Sequence, residues 1–308
     1  MAATVNVDGQ ISGERDARIS VFDHGFLYGE GVYEVFRTYR HQPFLFEPHM
    51  TRLRRSAERI ALPVPWTDEE MLARIEATLA AAQLPGEAYI RLLLTRGVGD
   101  LLYDPAACPT PTTVIIVKPL VESPATVYEE GVAVTLVPVL RNHPQSVNPA
   151  IKSNNLLNNA LAMQQAIARR SFEALMRNHR GELCECAQSN FFVVSNGVVR
   201  TPPLDAGLLA GITRAFVLEV AAALGYRTRE ETLVETDLAT ADEMFLTSTT
   251  KEIVPVVRVD DPTASPGAAA LTIGDGRVGP ITRALITEFR RRAHADVAPL
   301  PTPASANV

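Results

Sequence analysis

Ile151-Lys152-Ser153-Asn154-Asn155-Leu156-Leu157-Asn158-Asn159-Ala160-Leu161 holds one of only three lysines in the chain, the others being Lys118 and Lys251. Arginine supplies nearly all the other positive charge, so a lysine here invites a chemical reason. A turn-rich run, Asn142 to Pro149, precedes it, and apolar residues at 156, 157, 160, 161, 163 and 167 follow at helical spacing. The pattern predicts a strand over 132–140, a turn, and a helix over 155–169. A lysine at such a junction lies near unpaired N–H groups and the partly positive end of a helix. That setting disfavours an ammonium and favours the neutral amine that Schiff-base chemistry uses. A solvated lysine before a helix has the same local pattern, so the neighbouring segments must decide.

Upstream, Asp8-Gly9 predicts a hairpin and Phe26 to Gly31 a turn. Val32 to Tyr39 follows as a strand, with Tyr33, Val35 and Arg37 on one face and Glu34 and Phe36 on the other. The first face either lines a pocket or is half exposed. Helices are predicted over 48–62, with Met50, Leu53, Ala57 and Ile60 on one stripe, and over 67–82, with acids in the first turn. The strand over 88–95 carries Arg91 among apolar residues. A charge placed there needs an anion, either a protein carboxylate or a ligand.

Lys118 to Tyr128 has two prolines and little periodicity, which predicts a linker between two domains. The domains expected are 1–117, small and N-terminal, and 129–296, larger and C-terminal, with 118–128 between them and a disordered tail over 297–308. Downstream, strands are predicted around Ser195-Asn196-Gly197 and over 243–247, a helix from Gly211 to about Leu224, and a last helix over 282–293.

A net charge of −6 argues against a nucleic-acid binder. No apolar run approaches the roughly 20 residues that span a membrane. The N-terminus lacks the features of a signal peptide, and three cysteines suit a reducing cytoplasm better than a disulfide framework.

Cys184-Glu185-Cys186 invites a metal, but strand alternation turns both thiols away from the Glu185 face, so no metal is expected. Glu185 then shares its face with Leu183 and Ala187 and needs a partner, either an arginine or the protonated ring nitrogen of a cofactor. Gly211-Ile212-Thr213 at a helix start offers free N–H groups and a hydroxyl to an oxyanion or phosphate. Ser248-Thr249-Thr250 after a strand offers a second nest of donors. Singly these are ordinary caps and turns. Together they form the parts of a pyridoxal 5'-phosphate (PLP) site: an amine, an acid for the ring nitrogen, and a phosphate cup.

The chain resembles the class IV (fold type IV) PLP-dependent aminotransferases, which include branched-chain, D-amino-acid and (R)-amine transaminases and aminodeoxychorismate lyases. The likeness runs from about Val5 to Phe289. It rests on Phe26 to Glu34, His49-Met50-Thr51-Arg52-Leu53, Ile151-Lys152-Ser153, Glu185 to Asn190, Gly211 to Arg214 and Leu246 to Ile253, in family order. It implies a mixed α/β fold of two domains, the larger one β-barrel-like, with PLP in the cleft between them. Lys152 would form the Schiff base and shuttle the proton. Glu185 would contact the ring nitrogen, and Arg52, Ile212, Thr213 and Thr249 the phosphate.

Tyr28, Tyr33, Arg91 and Thr250 would line the substrate side. Tyr89-Ile90-Arg91 and Gly97 to Asp100 are similar to the branched-chain enzymes, where the arginine helps bind the distal carboxylate of glutamate. Val35, Leu156 and Ser248-Thr249-Thr250 depart toward the D-amino-acid pattern. The implied activity is amino transfer between an apolar or branched-chain L-amino acid and a 2-oxo acid such as 2-oxoglutarate. The alternatives are a D-amino-acid or (R)-amine transaminase, a lyase, or a non-catalytic cofactor binder. The family likeness also implies a homodimer in which Gly99 to Tyr103 crosses to the partner.

Overall fold

Asp8 and Gly9, both at positive φ (51° and 96°), turn the N-terminus into a hairpin of β1 (Thr4–Val7) and β2 (Gln10–Gly13). In the computed structural model, which describes residues 3–261 and 270–295, this hairpin starts a six-stranded sheet. A short helix α1 (His24–Leu27) leads to β3 (Gly31–Tyr39) and β4 (Gln42–Pro43). Helices α2 (Phe46–Glu58) and α3 (Asp68–Ala82) precede β5 (Ala88–Thr95) and β6 (Thr112–Pro119). The strand order is β2-β1-β6-β5-β3-β4. Val32, Phe36, Ile90, Leu92 and Ile115 pack from the sheet against Met50, Leu53, Met71 and Ile75 of the two helices. Thr67 caps α3 in a reciprocal pair with Glu70, as the first-turn acids suggest. α2 starts two residues before Pro48, because Leu45 takes a left-handed conformation (φ 53°) and turns the chain early.

The predicted linker, 118–128, is not structureless: it holds the end of β6 and most of α4 (Ala125–Glu129). Beyond it lies a nine-stranded sheet. Its elements in chain order are β7 (Val132–Leu136), α5 (Leu157–Ala168), β8 (Glu173–Arg177), β9 (Leu183–Cys186), β10 (Asn190–Ser195) and β11 (Val198–Thr201). Then follow α6 (Ile212–Ala223), β12 (Arg227–Glu230), α7 (Glu235–Ala239), β13 (Glu243–Ser248), β14 (Glu252–Asp260), β15 (Leu271–Thr272) and α8 (Pro280–Ala295). The order is β12-β11-β10-β13-β14-β7-β8-β9, with β15 on β14.

Alternation along β10 explains why both faces of this sheet are buried. Phe191 and Val193 enter a core shared with β7, β8, β9, β13 and β14, around which the sheet curls. Phe192 and Val194 point the other way, into a core built with Phe216, Val217 and Val220 of α6 and Leu285 and Phe289 of α8. Tyr39 of β3 and Phe44, in the turn after β4, join that second core. The fold is mixed α/β, as expected. The tail over 297–308 lies outside the described residues.

Candidate active site

A cavity of about 460 Å³ is lined by residues of both sheets and of the segment before α5. Lys152 lies on its wall, but not at a helix end. α5 begins only at Leu157, so the predicted helix-end setting of the amine is corrected. The segment is docked on β3 instead. The Tyr33 N–H donates to the Lys152 carbonyl (2.9 Å), Ser153 bridges to Val32, and the Lys152 N–H donates to Ser56 Oγ (3.1 Å). The amine, Nζ, sits 4.4 Å from the Tyr33 ring centre, and Arg91 Cζ sits 4.1 Å from the same ring. Both lie within cation–π range.

The antiparallel register of β3 and β5 places Val35 opposite Arg91 and Arg37 opposite Tyr89. Opposite residues share a face, so Tyr33, Val35, Tyr89 and Arg91 all reach the cavity. Arg91 makes no ion pair among the described residues, and its partner there is the Tyr33 ring. Arg37 is drawn off instead to Glu252 (2.9 Å) and Glu122 (2.8 Å). Tyr28 does not line the cavity: its ring packs against His24 and Tyr103. Tyr103, at 84 % exposure, closes a surface loop with exposed Leu101 and Leu102.

Glu185 is buried on the cavity wall and engaged on both oxygens. Arg141 Nε donates to Oε1 (2.6 Å), while the Leu209 N–H (3.0 Å) and Asn190 Nδ2 (3.4 Å) donate to Oε2. Of the partners foreseen for it, this one is an arginine. A register shift where β9 pairs with β8 breaks the predicted alternation. Cys184 and Cys186 therefore fall into different cores rather than sharing a face, as do Leu183 and Ala187. Burial pushes the Cys184 thiol up to about 12. Among the described residues no cluster of His, Cys, Asp and Glu is arranged to hold a metal ion.

Ile212 and Thr213 open α6 on the cavity side, behind Gly211 as N-cap, and no side chain caps the free N–H groups. A Cβ on Gly211 would lie 1.9 Å from Asn190 Oδ1, so only glycine fits. Arg52 reaches this corner from α2 and donates to the Ala210 carbonyl (2.9 Å). Behind it, Glu34 accepts from Arg52 Nε and Nη2 (2.7 Å each) and from His49 Nδ1 (2.7 Å). Burial alone would raise the Glu34 carboxyl, but the Arg52 charge and the His49 contact outweigh it and hold it below the usual carboxylate range. Burial pushes the His49 imidazole down, so it stays neutral near pH 7.

Thr249 and Thr250 sit in the turn between β13 and β14, also on the wall. Glu252, just past it, takes a left-handed backbone (φ 59°) and is pinned by Arg37, by the Tyr39 hydroxyl (2.6 Å) and by Arg290 (2.6 Å). Arg141, Asn190, Glu34, His49 and Glu252 were not singled out for the site from sequence. Arg141, Glu34, His49 and Glu252 act through partners at least 15 residues away, which spacing cannot reveal. Of these, Glu34 alone carries a local signal, an acid in the middle of the largely apolar strand β3.

The family profile described as amino-transferase class IV matches residues 31–259. A Methanocaldococcus jannaschii protein, provisionally named a branched-chain-amino-acid aminotransferase, is 40% identical over 286 residues, covering 93% of this chain and 95% of its own. A D-alanine aminotransferase of Listeria monocytogenes is 33% identical over 290 residues, covering 92% and 94%. The Escherichia coli branched-chain amino acid aminotransferase structure superposes with a TM-score of 0.88 at 28% identity, covering 97% of each chain. With profile, relatives and architecture in agreement, the chain belongs to the class IV aminotransferases, a PLP-dependent enzyme family.

Proposed function

We propose that the enzyme moves an amino group between a branched-chain or other apolar L-amino acid and a 2-oxo acid such as 2-oxoglutarate. The observation that carries this is Arg91, a cavity-wall guanidinium with no carboxylate partner among the described residues. A second carboxylate on the acceptor satisfies it.

The cavity suits PLP on its own chemistry. Uncapped N–H groups at Ile212 and Thr213, beside Arg52, suit the phosphate. Buried Glu185 suits a protonated ring nitrogen, and Lys152 offers a primary amine. When bound, PLP supplies an electron sink and carries the amino group. Lys152 would hold the cofactor through its amine and, once that amine is free, would carry the proton between the substrate Cα and the cofactor. Glu185, fixed by Arg141, would hold the proton on the ring nitrogen. Arg52, Ile212, Thr213 and Thr249 anchor the phosphate, while Tyr33, Arg91 and Thr250 orient the substrate.

The chain acts as a cytoplasmic homodimer in this reading. Exposed Leu101, Leu102 and Tyr103 support the dimer, because they would be buried by a partner, and Tyr28 would join the partner's site with them. The three free cysteines support the compartment.

A second reading, D-amino-acid transfer, is favoured by Val35, by the Ser248-Thr249-Thr250 turn and by the D-alanine aminotransferase relative. Incubation with L- and D-amino acids and (R)-amines, each with 2-oxoglutarate or pyruvate, followed by chiral chromatography of the products, tests both. L-Leucine or L-valine with 2-oxoglutarate should give L-glutamate. Turnover confined to D-substrates would replace this reading with the second.

A further inference from the structure

Glu34 touches no ligand space of its own: it is fully buried and lies behind Arg52. A buried ion pair is often no more stable than an apolar pair of the same volume, so stability alone is a poor reason for it. The hydrogen-bond arithmetic of the guanidinium suggests another. Arginine has five N–H donors in one rigid plane. Nε–H and one N–H of Nη2 go to the two Glu34 oxygens, and one N–H of Nη1 goes to the Ala210 carbonyl. One N–H on each terminal nitrogen is left. The 3.5 Å approach of Nη2 to His49 Nδ1 does not use one, because Nδ1 carries the hydrogen it donates to Glu34.

The fork is thus held in plane by Glu34 and tied by Ala210 to the residue before the α6 N-cap. Arg52 lines the same cavity as Ile212 and Thr213, whose N–H groups no side chain caps. His49, neutral, adds a third hydrogen bond to Glu34 without adding charge. The pair therefore carries little net charge, and what it offers an anion is direction.

We infer that Glu34 is a positioning residue for the cofactor phosphate, aiming two N–H groups of Arg52 at the mouth of α6. This rests on the proposed phosphate role of Arg52. Glu34 acts only on ligands that carry the phosphate, so the sensitive quantity is the ratio of affinities for PLP and for pyridoxal, which lacks it.

Equilibrium dialysis of the cofactor-free full-length chain with each ligand, and with inorganic phosphate as competitor against PLP, measures that ratio. Glu34→Gln keeps the shape but breaks the two-point contact. It should weaken PLP by roughly tenfold or more and pyridoxal by less than about threefold, and phosphate should compete less well. Glu34→Asp keeps the charge, protecting the fold, but is too short to span both nitrogens, and should shift the ratio in the same direction. In an Arg52→Met background, Glu34→Met should change the ratio no further. Equal weakening of both ligands, or tighter PLP binding in Glu34→Gln, would overturn the inference and make Glu34 a packing group or a mere neutraliser. If Arg52→Met itself leaves the ratio unchanged, the phosphate role of Arg52 falls, and this inference with it. If Arg52→Met lowers the ratio and neither Glu34 variant does, only the positioning role falls.

Discussion

Arg141 Nε lies 2.6 Å from Glu185 Oε1, with both side chains almost wholly buried at the cavity wall. The contact couples the loop after β7 to β9 and leaves the carboxylate little freedom to rotate. A fixed negative charge is worth most where it faces charge that develops during reaction. Glu185→Gln keeps the shape and removes the charge. Turnover should fall by roughly 10²–10³-fold while PLP affinity by dialysis changes far less. Near wild-type turnover in this variant would remove Glu185 from the catalytic machinery.

Arg91 makes a prediction about acceptors. Arg91→Leu should raise the KM for 2-oxoglutarate by roughly tenfold or more, as expected for losing a charge-assisted bond of about 1.5–3 kcal/mol. The 2-oxo acids of leucine and valine present no distal charge and should be affected much less. The comparison is made on one preparation. A uniform loss with all acceptors, accompanied by a lower melting temperature, would instead make Arg91 a structural partner of the Tyr33 ring.

Glu173 predicts a pH dependence of stability. It is buried at the start of β8, and burial pushes its carboxyl up to about 7 against the opposing Lys251 charge and hydrogen bonds from Ala174 N–H and Ser189 Oγ. The folded form therefore holds this proton more tightly than the unfolded chain. The stabilisation is complete below the ordinary carboxyl value of 4.5 and is lost as pH rises through about 7. The loss is on the order of 3 kcal/mol, at about 1.4 kcal/mol per pH unit. Glu173→Gln cannot ionise. Its melting temperature should exceed wild type at pH 8, with the gap closing by pH 5. A gap that does not change with pH would mean that Glu173 does not titrate in this range.

Much of this fold is legible in the sequence because local patterns and tertiary packing agree. The strand of Ala88 to Thr95 and the hairpin at Asn196-Gly197 have the predicted bounds or nearly so. The face that carries Tyr33 and Val35 was readable from alternation alone. Legibility fails where a distant partner decides. The β9 register shift depends on β8 and splits the two thiols between cores. Lys152 reads as a helix-end lysine, but the hydrogen bond from Tyr33, more than a hundred residues upstream, draws its segment onto β3 instead. Glu34 and Arg52 are 18 residues apart, and Arg141 and Glu185 are 44 apart, beyond any local pattern. Tyr28 belongs to a family motif, yet its ring packs on Tyr103 outside the cavity.

Lys152 is the proposed Schiff-base residue, and covalent mapping tests that role most directly. The PLP-loaded protein is reduced with borohydride, digested, and its pyridoxyl-labelled peptide sequenced. Lys118 does not line the cavity and its Nζ sits over the Tyr89 ring; Lys251 and Lys152 both line it, with Lys251 Nζ over the Phe172 ring and Lys152 Nζ over the Tyr33 ring. Stoichiometric label is expected on Lys152 and none on the other two. Label on Lys118 or Lys251, or retained turnover in Lys152→Ala, would contradict that role.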